Sequence, residues 1–259
     1  MPWFVEMENL NDKRNQLWDE IHRIDSPTYY FREALIRSLL PTDGKEKKAL
    51  DIGCGTGDHV CELLLRNFFV EAIDPSPYAV EVTQGKAAKI SSQFNVCVCG
   101  IEDFEGENTY DFILASEVLE HVKDDYSAIK KINSCLDVGG RAFISVPHNM
   151  KLWSASDEIS GHLRRYTKDE LREKLESAGL TIITLSCYGF PLLQWLLQIR
   201  KYITRKEGIE QEKMLKERIT KKKVGHLFFK ILNKVAIIDR FNLFPEKGVG
   251  LIALVEKKS

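Results

Sequence analysis

The stretch Ala49-Leu50-Asp51-Ile52-Gly53-Cys54-Gly55-Thr56-Gly57-Asp58 decides how this chain folds. An apolar run, read as a buried strand, stops at three glycines spaced i, i+2 and i+4, and a helical pattern begins at Asp58. Glycines in a strand-to-helix turn permit positive φ and let a ligand approach the backbone closely. The same turn exposes amide N–H groups at the helix start. A dinucleotide fingerprint places its third glycine at i+5, where the helix N-terminus faces a pyrophosphate. Here i+5 is Asp58, an acid where an anion would bind, which argues against NAD and for a ligand without phosphates.

Working outward, the next apolar run ends Ala72-Ile73-Asp74-Pro75-Ser76. Asp74 follows Gly53 by 21 residues, the spacing at which a strand-end acid accepts two ribose hydroxyls. A helix N-cap is the bland alternative for Asp74 alone; the glycine turn at this distance favours the sugar. Further short apolar runs, Val96–Cys99, Phe112–Ala115 and Ala142–Val146, alternate with helix-like stretches Asp58–Arg66, Pro77–Ala88 and Tyr126–Leu136. Strands alternating with helices predict an α/β fold, a parallel sheet with helices on both faces. Thr167-x-x-Glu170 reads as a capping box opening a helix that stops at Gly179, followed by a strand over Leu180–Cys187. The last strand is predicted over Gly248–Lys257.

Three regions follow from this pattern: a helical segment over 1–44, a core over 45–189 plus 246–259, and a helical insertion over 190–245. Within 1–44, helices are predicted over Phe4–Ile24 and after Ser26-Pro27, the second with Phe31, Leu35, Ile36 and Leu39 at helical spacing. The insertion carries the main charge asymmetry: Arg200–Lys234 holds twelve Lys or Arg against four Glu, +8 in a chain whose net charge is −1. Its apolar-plus-basic make-up leaves two readings open, a helical cap packed on the sheet and a lid that also touches anionic membrane. The uncharged run Ser177–Ile199 is long enough to span a bilayer, but Gly189, Pro191, Gln194 and Gln198 interrupt it, so it reads as a strand and an apolar helix. A near-zero net charge lacks the footprint of a dedicated nucleic-acid binder. Six cysteines without a Cys-x-x-Cys pair, and an N-terminus without a signal pattern, point to a reduced cytoplasmic protein, peripheral membrane contact resting on 190–245 alone.

The region 47–180 resembles the class I S-adenosylmethionine-dependent methyltransferases. The resemblance rests on Asp51 to Gly57, on Ala72 to Ser76, on Tyr110-Asp111-Phe112-Ile113 followed by Glu117-Val118-Leu119-Glu120-His121-Val122, and on Gly139-Gly140-Arg141. It is similar to the small-molecule branch that includes ubiquinone-biosynthesis enzymes. Val146-Pro147-His148-Asn149 and Gly161-His162-Leu163-Arg164-Arg165-Tyr166-Thr167 resemble bacterial and archaeal relatives linked to lipids or glycoconjugates. The resemblance implies a Rossmann-like seven-stranded sheet ordered 3-2-1-4-5-7-6 with strand 7 antiparallel, and S-adenosyl-L-methionine as cofactor. It implies cofactor contacts from Asp51, Gly53, Cys54, Gly55 and Gly57, from Asp74 and Pro75, from Ile101 and Glu102, and from Ser116 and Glu117. Family members often carry Asp at the end of strand 3 for the adenine; here Gly100 stands there, leaving the backbone of Ile101 for that contact.

Methyl transfer is an in-line displacement, so positioning is the main requirement, and a base is needed only when the acceptor must lose a proton. His148 and His121 are the catalytic candidates; His162, Arg164 and Tyr166 are candidate substrate residues, with Arg164 and Arg165 a potential clamp for an anionic group. No His, Cys, Asp or Glu spacing suggests a metal site. The expected function is methyl transfer to a small-molecule or lipid-linked acceptor, at oxygen. Ser116-Glu117-Val118-Leu119 stands where DNA amino methylases carry an Asn/Asp-Pro-Pro-aromatic motif, which disfavours a nucleobase acceptor. The alternative is a catalytically silent cofactor-binding module that docks on a membrane or a partner. The sequence sets no oligomeric state.

Overall fold

In the computed structural model, residues 27–106, 109–191, 193–195 and 246–258 are described. Helix α1 (Pro27–Leu39) precedes β1 (Lys48–Ile52), α2 (Asp58–Leu65), β2 (Phe69–Asp74), α3 (Pro77–Ala87) and β3 (Phe94–Val98). Then come β4 (Tyr110–Ser116), α4 (Asp125–Cys135), β5 (Leu136–Pro147), α5 (Ala155–Ser160), α6 (Lys168–Ser177), β6 (Leu180–Tyr188) and β7 (Gly250–Lys257), with 3-10 turns at Leu119–His121 and Met150–Leu152. The sheet runs β3-β2-β1-β4-β5-β7-β6, the expected order. β1 to β5 pair in parallel, and β7 lies antiparallel between β5 and β6.

Both faces of the sheet are covered, so its central strands are apolar almost throughout. One face packs Leu50, Ile52, Ile113 and Ile144 against Ile129, Ile132, Leu171 and Leu175 of α4 and α6. The other packs Ala49, Val70, Leu114 and Phe143 against Val60, Leu63, Val80 and Ile36. Full burial of an aliphatic side chain such as Ile36 or Leu63 contributes about 1.5–3 kcal/mol. The helix ends follow the sequence signals: Thr167 and Glu170 close a reciprocal capping box, and Ser76 caps α3 through the Ala79 N–H.

Strand bounds differ from expectation at several ends, among them those of β5 and β3. β5 spans Leu136–Pro147 rather than the expected Ala142–Val146, so it takes in Gly139-Gly140. A Cβ at Gly140 would lie 2.8 Å from the carbonyl oxygen of Tyr110, so a glycine lets the two strands close up there, beside a register shift. β3 spans Phe94–Val98 rather than Val96–Cys99, in parallel register with Val70–Asp74.

The order reverses between β1 and β4, which puts the ligand crevice of an open α/β sheet at the carboxyl ends of these strands. Tyr188, at the end of β6, pairs with Gly250, which also pairs with Pro147 at the end of β5. The chain therefore leaves for 190–245 and returns at the crevice edge. The helices expected over Phe4–Ile24 and through the insertion lie outside the described residues, apart from residues 190–191 and 193–195.

Candidate active site

The turn after β1 uses each glycine differently. Gly53, Gly55 and Gly57 all have positive φ, 66°, 52° and 82°. A Cβ on Gly53 would come within 2.7 Å of Val118, and one on Gly57 within 2.7 Å of Thr83, so both are packed against protein. A Cβ on Gly55 would meet nothing within 4 Å. The open side of the turn is thus at Gly55. The Thr83 hydroxyl donates to the Gly55 carbonyl (2.9 Å), and Cys54 is buried against Thr83 (3.9 Å), a packing position whose thiol burial pushes up.

Two carboxylates flank the turn. Asp74 accepts the Gly55 N–H (2.9 Å) on one oxygen and the Ser76 N–H (2.9 Å) on the other. An ionised carboxylate offers about four acceptor sites, so the same oxygens can take hydroxyls beside Gly55. Asp51 is 1% exposed, and its Oδ2 has no hydrogen-bond partner among the described residues. Burial pushes its pKa up to about 7, with Asp74 and Glu33 adding to the rise and His59 opposing it. An orphaned carboxylate oxygen and an anion beside a glycine turn fit a ligand with a sugar diol and a cationic end. They do not fit a phosphate, and Asp58 at the first position of α2 reinforces that. Pro75 opens the loop into α3; Ile101 is buried and Glu102 exposed beyond β3, where Gly100 offers backbone only.

Sequence reasoning missed the contribution of α1. Tyr29, Arg32 and Glu33 share one helical face and reach the rim of the turn. The Tyr29 hydroxyl donates to Asp58 (2.7 Å), Arg32 pairs with Glu117 (3.1 Å), and Glu33 lies 2.9 Å from His59. Burial works against the charge on Arg32, yet Glu117, Tyr188, Glu33 and Glu120 hold its pKa above the ordinary value. Glu117 has φ 57° and takes the Ser145 hydroxyl (3.2 Å), while Ser116 and Ser145 share a hydrogen bond (3.0 Å). The i, i+3, i+4 spacing of Tyr29, Arg32 and Glu33 was the available signal.

On the β4–β5 side, His148 is buried and its Nδ1 lies 2.9 Å from the Tyr166 carbonyl. A carbonyl only accepts, so Nδ1 carries the proton and Nε2 is the basic atom. Burial, with Arg165 and Lys168 nearby, holds the His148 pKa below its ordinary value, although the Tyr166 carbonyl pulls the other way. His162 Nδ1 contacts Asp157 at 2.9 Å, its Nε2 lies 3.9 Å from Glu120, and its ring stacks edge-on to His121 with centroids 4.9 Å apart. Glu120 is fully buried; burial first and Glu117 second push its pKa well up. Ligand atoms of Glu120, His121 and His162 lie within 4.8 Å of one another, a group that could hold a metal ion. The spacing-based expectation of no metal site missed this cluster because His162 arrives from another loop.

The remaining substrate candidates serve the protein itself. Tyr166 is 2% exposed, and its hydroxyl donates to Asp125 (2.7 Å) and to the Leu119 carbonyl (3.1 Å). Arg164 pairs with Asp125 (3.0 Å) and donates to the Lys123 carbonyl (2.9 Å). Arg165 grips Asp157 through two nitrogens (2.7 and 2.9 Å) and donates to the His148 carbonyl (3.1 Å). The expected arginine clamp is therefore turned inward, and it positions His148 and His162 instead.

A family model described as a methyltransferase domain matches residues 22–185. The chain is similar to the ubiquinone biosynthesis O-methyltransferase of Rickettsia prowazekii, 28% identical over 152 residues, 56% of this chain and 60% of that relative's length. Among solved structures it is similar to Haemonchus contortus phosphoethanolamine N-methyltransferase 2 in complex with S-adenosyl-L-methionine. The TM-score is 0.58 at 16% identity, over 87% of this chain and 52% of that one. It is also similar to the cyclase SpnF, TM-score 0.59 at 17% identity, over 87% and 79% of the two chains. These structural likenesses establish the fold; they do not choose the acceptor atom.

Proposed function

This chain belongs to the methyltransferase-domain family, within the class I S-adenosylmethionine-dependent methyltransferases, and on that premise we propose that it methylates an oxygen of a small or lipid-linked acceptor. The observation that carries cofactor use is the pairing of an open Gly55 with Asp74 on one side and the orphaned Asp51 on the other. S-adenosylmethionine supplies a methyl group already activated on a sulfonium. Gly53, Gly55 and Gly57 hold the turn close, Asp74 accepts the ribose hydroxyls, and Asp51 meets the cationic amino-acid end. Cys54, Pro75, Ile101, Glu102, Ser116 and Glu117 complete the cofactor rim, Glu117 being oriented by Arg32.

Oxygen methylation needs an acceptor proton removed, and the loops beyond β4 and β5 supply imidazoles. In His162, Asp157 occupies Nδ1 as an acceptor, so Nε2 takes the proton and the carboxylate stabilises the resulting imidazolium. His121 borders it, and His148 presents a second basic Nε2. A positioned base is worth about 10²–10⁴-fold. The relative's O-methyltransferase name supports oxygen over nitrogen. We assign residues 190–245 to a lid over the acceptor, since they leave and rejoin the sheet at the crevice edge.

Transfer of labelled methyl groups from S-adenosylmethionine into cell extracts, with the lipid fraction analysed separately, tests the reading. Label on a hydroxyl-bearing acceptor is expected, whereas cofactor binding with no labelled product would leave the silent-module alternative. Replacing Pro191–Phe244 with a short turn should preserve S-adenosylhomocysteine binding and abolish acceptor turnover. Co-sedimentation of the intact chain with anionic vesicles tests membrane contact.

A further inference from the structure

On the β4–β5 side of the crevice, two loops bring together three side chains that can ligate a metal. The turn after β4 carries Glu120 and His121, and the loop between α5 and α6 carries His162. The loops are stitched to each other: the Leu163 N–H donates to the Glu120 carbonyl (2.8 Å), and the Tyr166 hydroxyl to the Leu119 carbonyl (3.1 Å). One carboxylate oxygen of Glu120 and one ring nitrogen of each histidine lie within 4.8 Å of one another.

Glu120 is the member that calls for a ligand. It is 0% exposed, and neither of its carboxylate oxygens has a hydrogen-bond partner among the described residues. Its Oε1 lies 3.9 Å from His162 Nε2, close to the imidazole but not bonded to it. The arginines whose charge reaches Glu120 are paired elsewhere, Arg32 with Glu117 (3.1 Å) and Arg165 with Asp157 (2.7 Å). A buried carboxylate with both oxygens unbonded is costly unless a cation joins it.

His162 is already oriented as a ligand. Asp157 is 1% exposed and accepts the His162 Nδ1–H (2.9 Å), which fixes the tautomer and leaves the lone pair on Nε2, the atom nearer Glu120. Arg165 holds Asp157 through two nitrogens. A carboxylate behind an imidazole is the arrangement that orients metal-bound histidines and raises their basicity. His121 stands edge-on to His162 and is exposed, so its ring has room to turn onto an ion. Tetrahedral bonds of about 2.0–2.2 Å set ligand atoms about 3.4 Å apart. The 3.9 Å between Glu120 and His162 needs only a small closure to reach that.

We propose that Glu120, His121 and His162 bind one divalent transition-metal ion, with Asp157 as the partner that orients His162. Two imidazoles and a carboxylate select zinc-like ions over magnesium and calcium, which take oxygen ligands. Three protein ligands leave a coordination position for an oxygen, from water or from an acceptor hydroxyl. A metal on His162 Nε2 withdraws that atom from the base role and leaves the His148 Nε2 for it. The site stands on these side chains and not on the cofactor reading above.

The test is titration of the full chain, stripped with a chelator, with Co²⁺ followed by visible absorption. Wild type should take up one ion with strong d–d bands and no thiolate charge-transfer band, since no cysteine is among the ligands. Zn²⁺ should displace the cobalt, whereas Mg²⁺ in about thousandfold excess should not. E120Q, H121A and H162Q should each weaken Co²⁺ binding by at least about 100-fold, more than loss of an outer partner costs. C97S/C99S should bind as wild type does. E120Q also removes a buried charge, so without metal it should melt no lower than wild type, yet it should lose the rise in melting temperature that Zn²⁺ gives wild type. That pairing separates a lost ligand from a misfolded chain. No cobalt uptake by wild type, a thiolate band that vanishes in C97S/C99S, or unchanged uptake in E120Q and H162Q would overturn the proposal.

Discussion

Asp74→Asn perturbs the site at a single oxygen and carries a magnitude that can be worked out in advance. In wild type the two carboxylate oxygens accept the Gly55 and Ser76 N–H groups at 2.9 Å each. An amide keeps one acceptor and turns the other into a donor, so one of these N–H groups faces an NH₂. The ribose diol loses its charged acceptor at the same time. Hydrogen bonds to a charged group are worth about 1.5–3 kcal/mol, and about 1.4 kcal/mol is tenfold in affinity, so S-adenosylhomocysteine should bind about 10- to 150-fold more weakly. Calorimetry with the ligand and with its 2′-deoxy analogue isolates the sugar contact: wild type should discriminate between them and D74N should not. Melting of the ligand-free variant reports the separate loss from the turn. Equal affinity of D74N and wild type for S-adenosylhomocysteine would refute the assignment of Asp74 to the sugar.

The glycines give a paired prediction. G55A adds a methyl into open space at φ 52° and should cost about 1–2 kcal/mol of stability while abolishing cofactor binding; G57A drives a methyl to 2.7 Å from Thr83 and should lower the urea midpoint further. Y166F removes the bonds to Asp125 and the Leu119 carbonyl and should destabilise by about 1–3 kcal/mol by urea unfolding, with cofactor affinity unchanged. Asp157 is almost fully buried; burial opposes its charge, but His162 and Arg165 hold its pKa well below the ordinary carboxylate value. Its contribution is therefore complete above the unfolded pKa of about 4 and is lost as pH falls below it. D157N should cost about 3–5 kcal/mol at neutral pH and flatten the acid limb of the stability curve. Stability against pH for both proteins checks the sign.

The elements and their order were legible in the sequence because they follow local rules. Strands buried on two faces are apolar throughout, as over Phe112–Ala115, and the Thr167–Glu170 capping box announces its own helix. The glycine turn and Asp74 at its set distance point to the kind of ligand from spacing alone. Charged partners were not legible, because a carboxylate's role depends on what the fold brings to it across many residues. Asp51 and Asp157 are alike as letters. The tertiary structure leaves an Asp51 oxygen unpartnered and surrounds Asp157 with Arg165, His162 and the Ser154 N–H. Arg164, Arg165 and Tyr166 looked like a substrate clamp in a row, but loop packing turned each toward an internal acceptor, because a buried carboxylate attracts the cation that can reach it. The face of α1 that closes on Asp58, His59 and Glu117 was decided in the same way, by contacts between segments far apart in the chain.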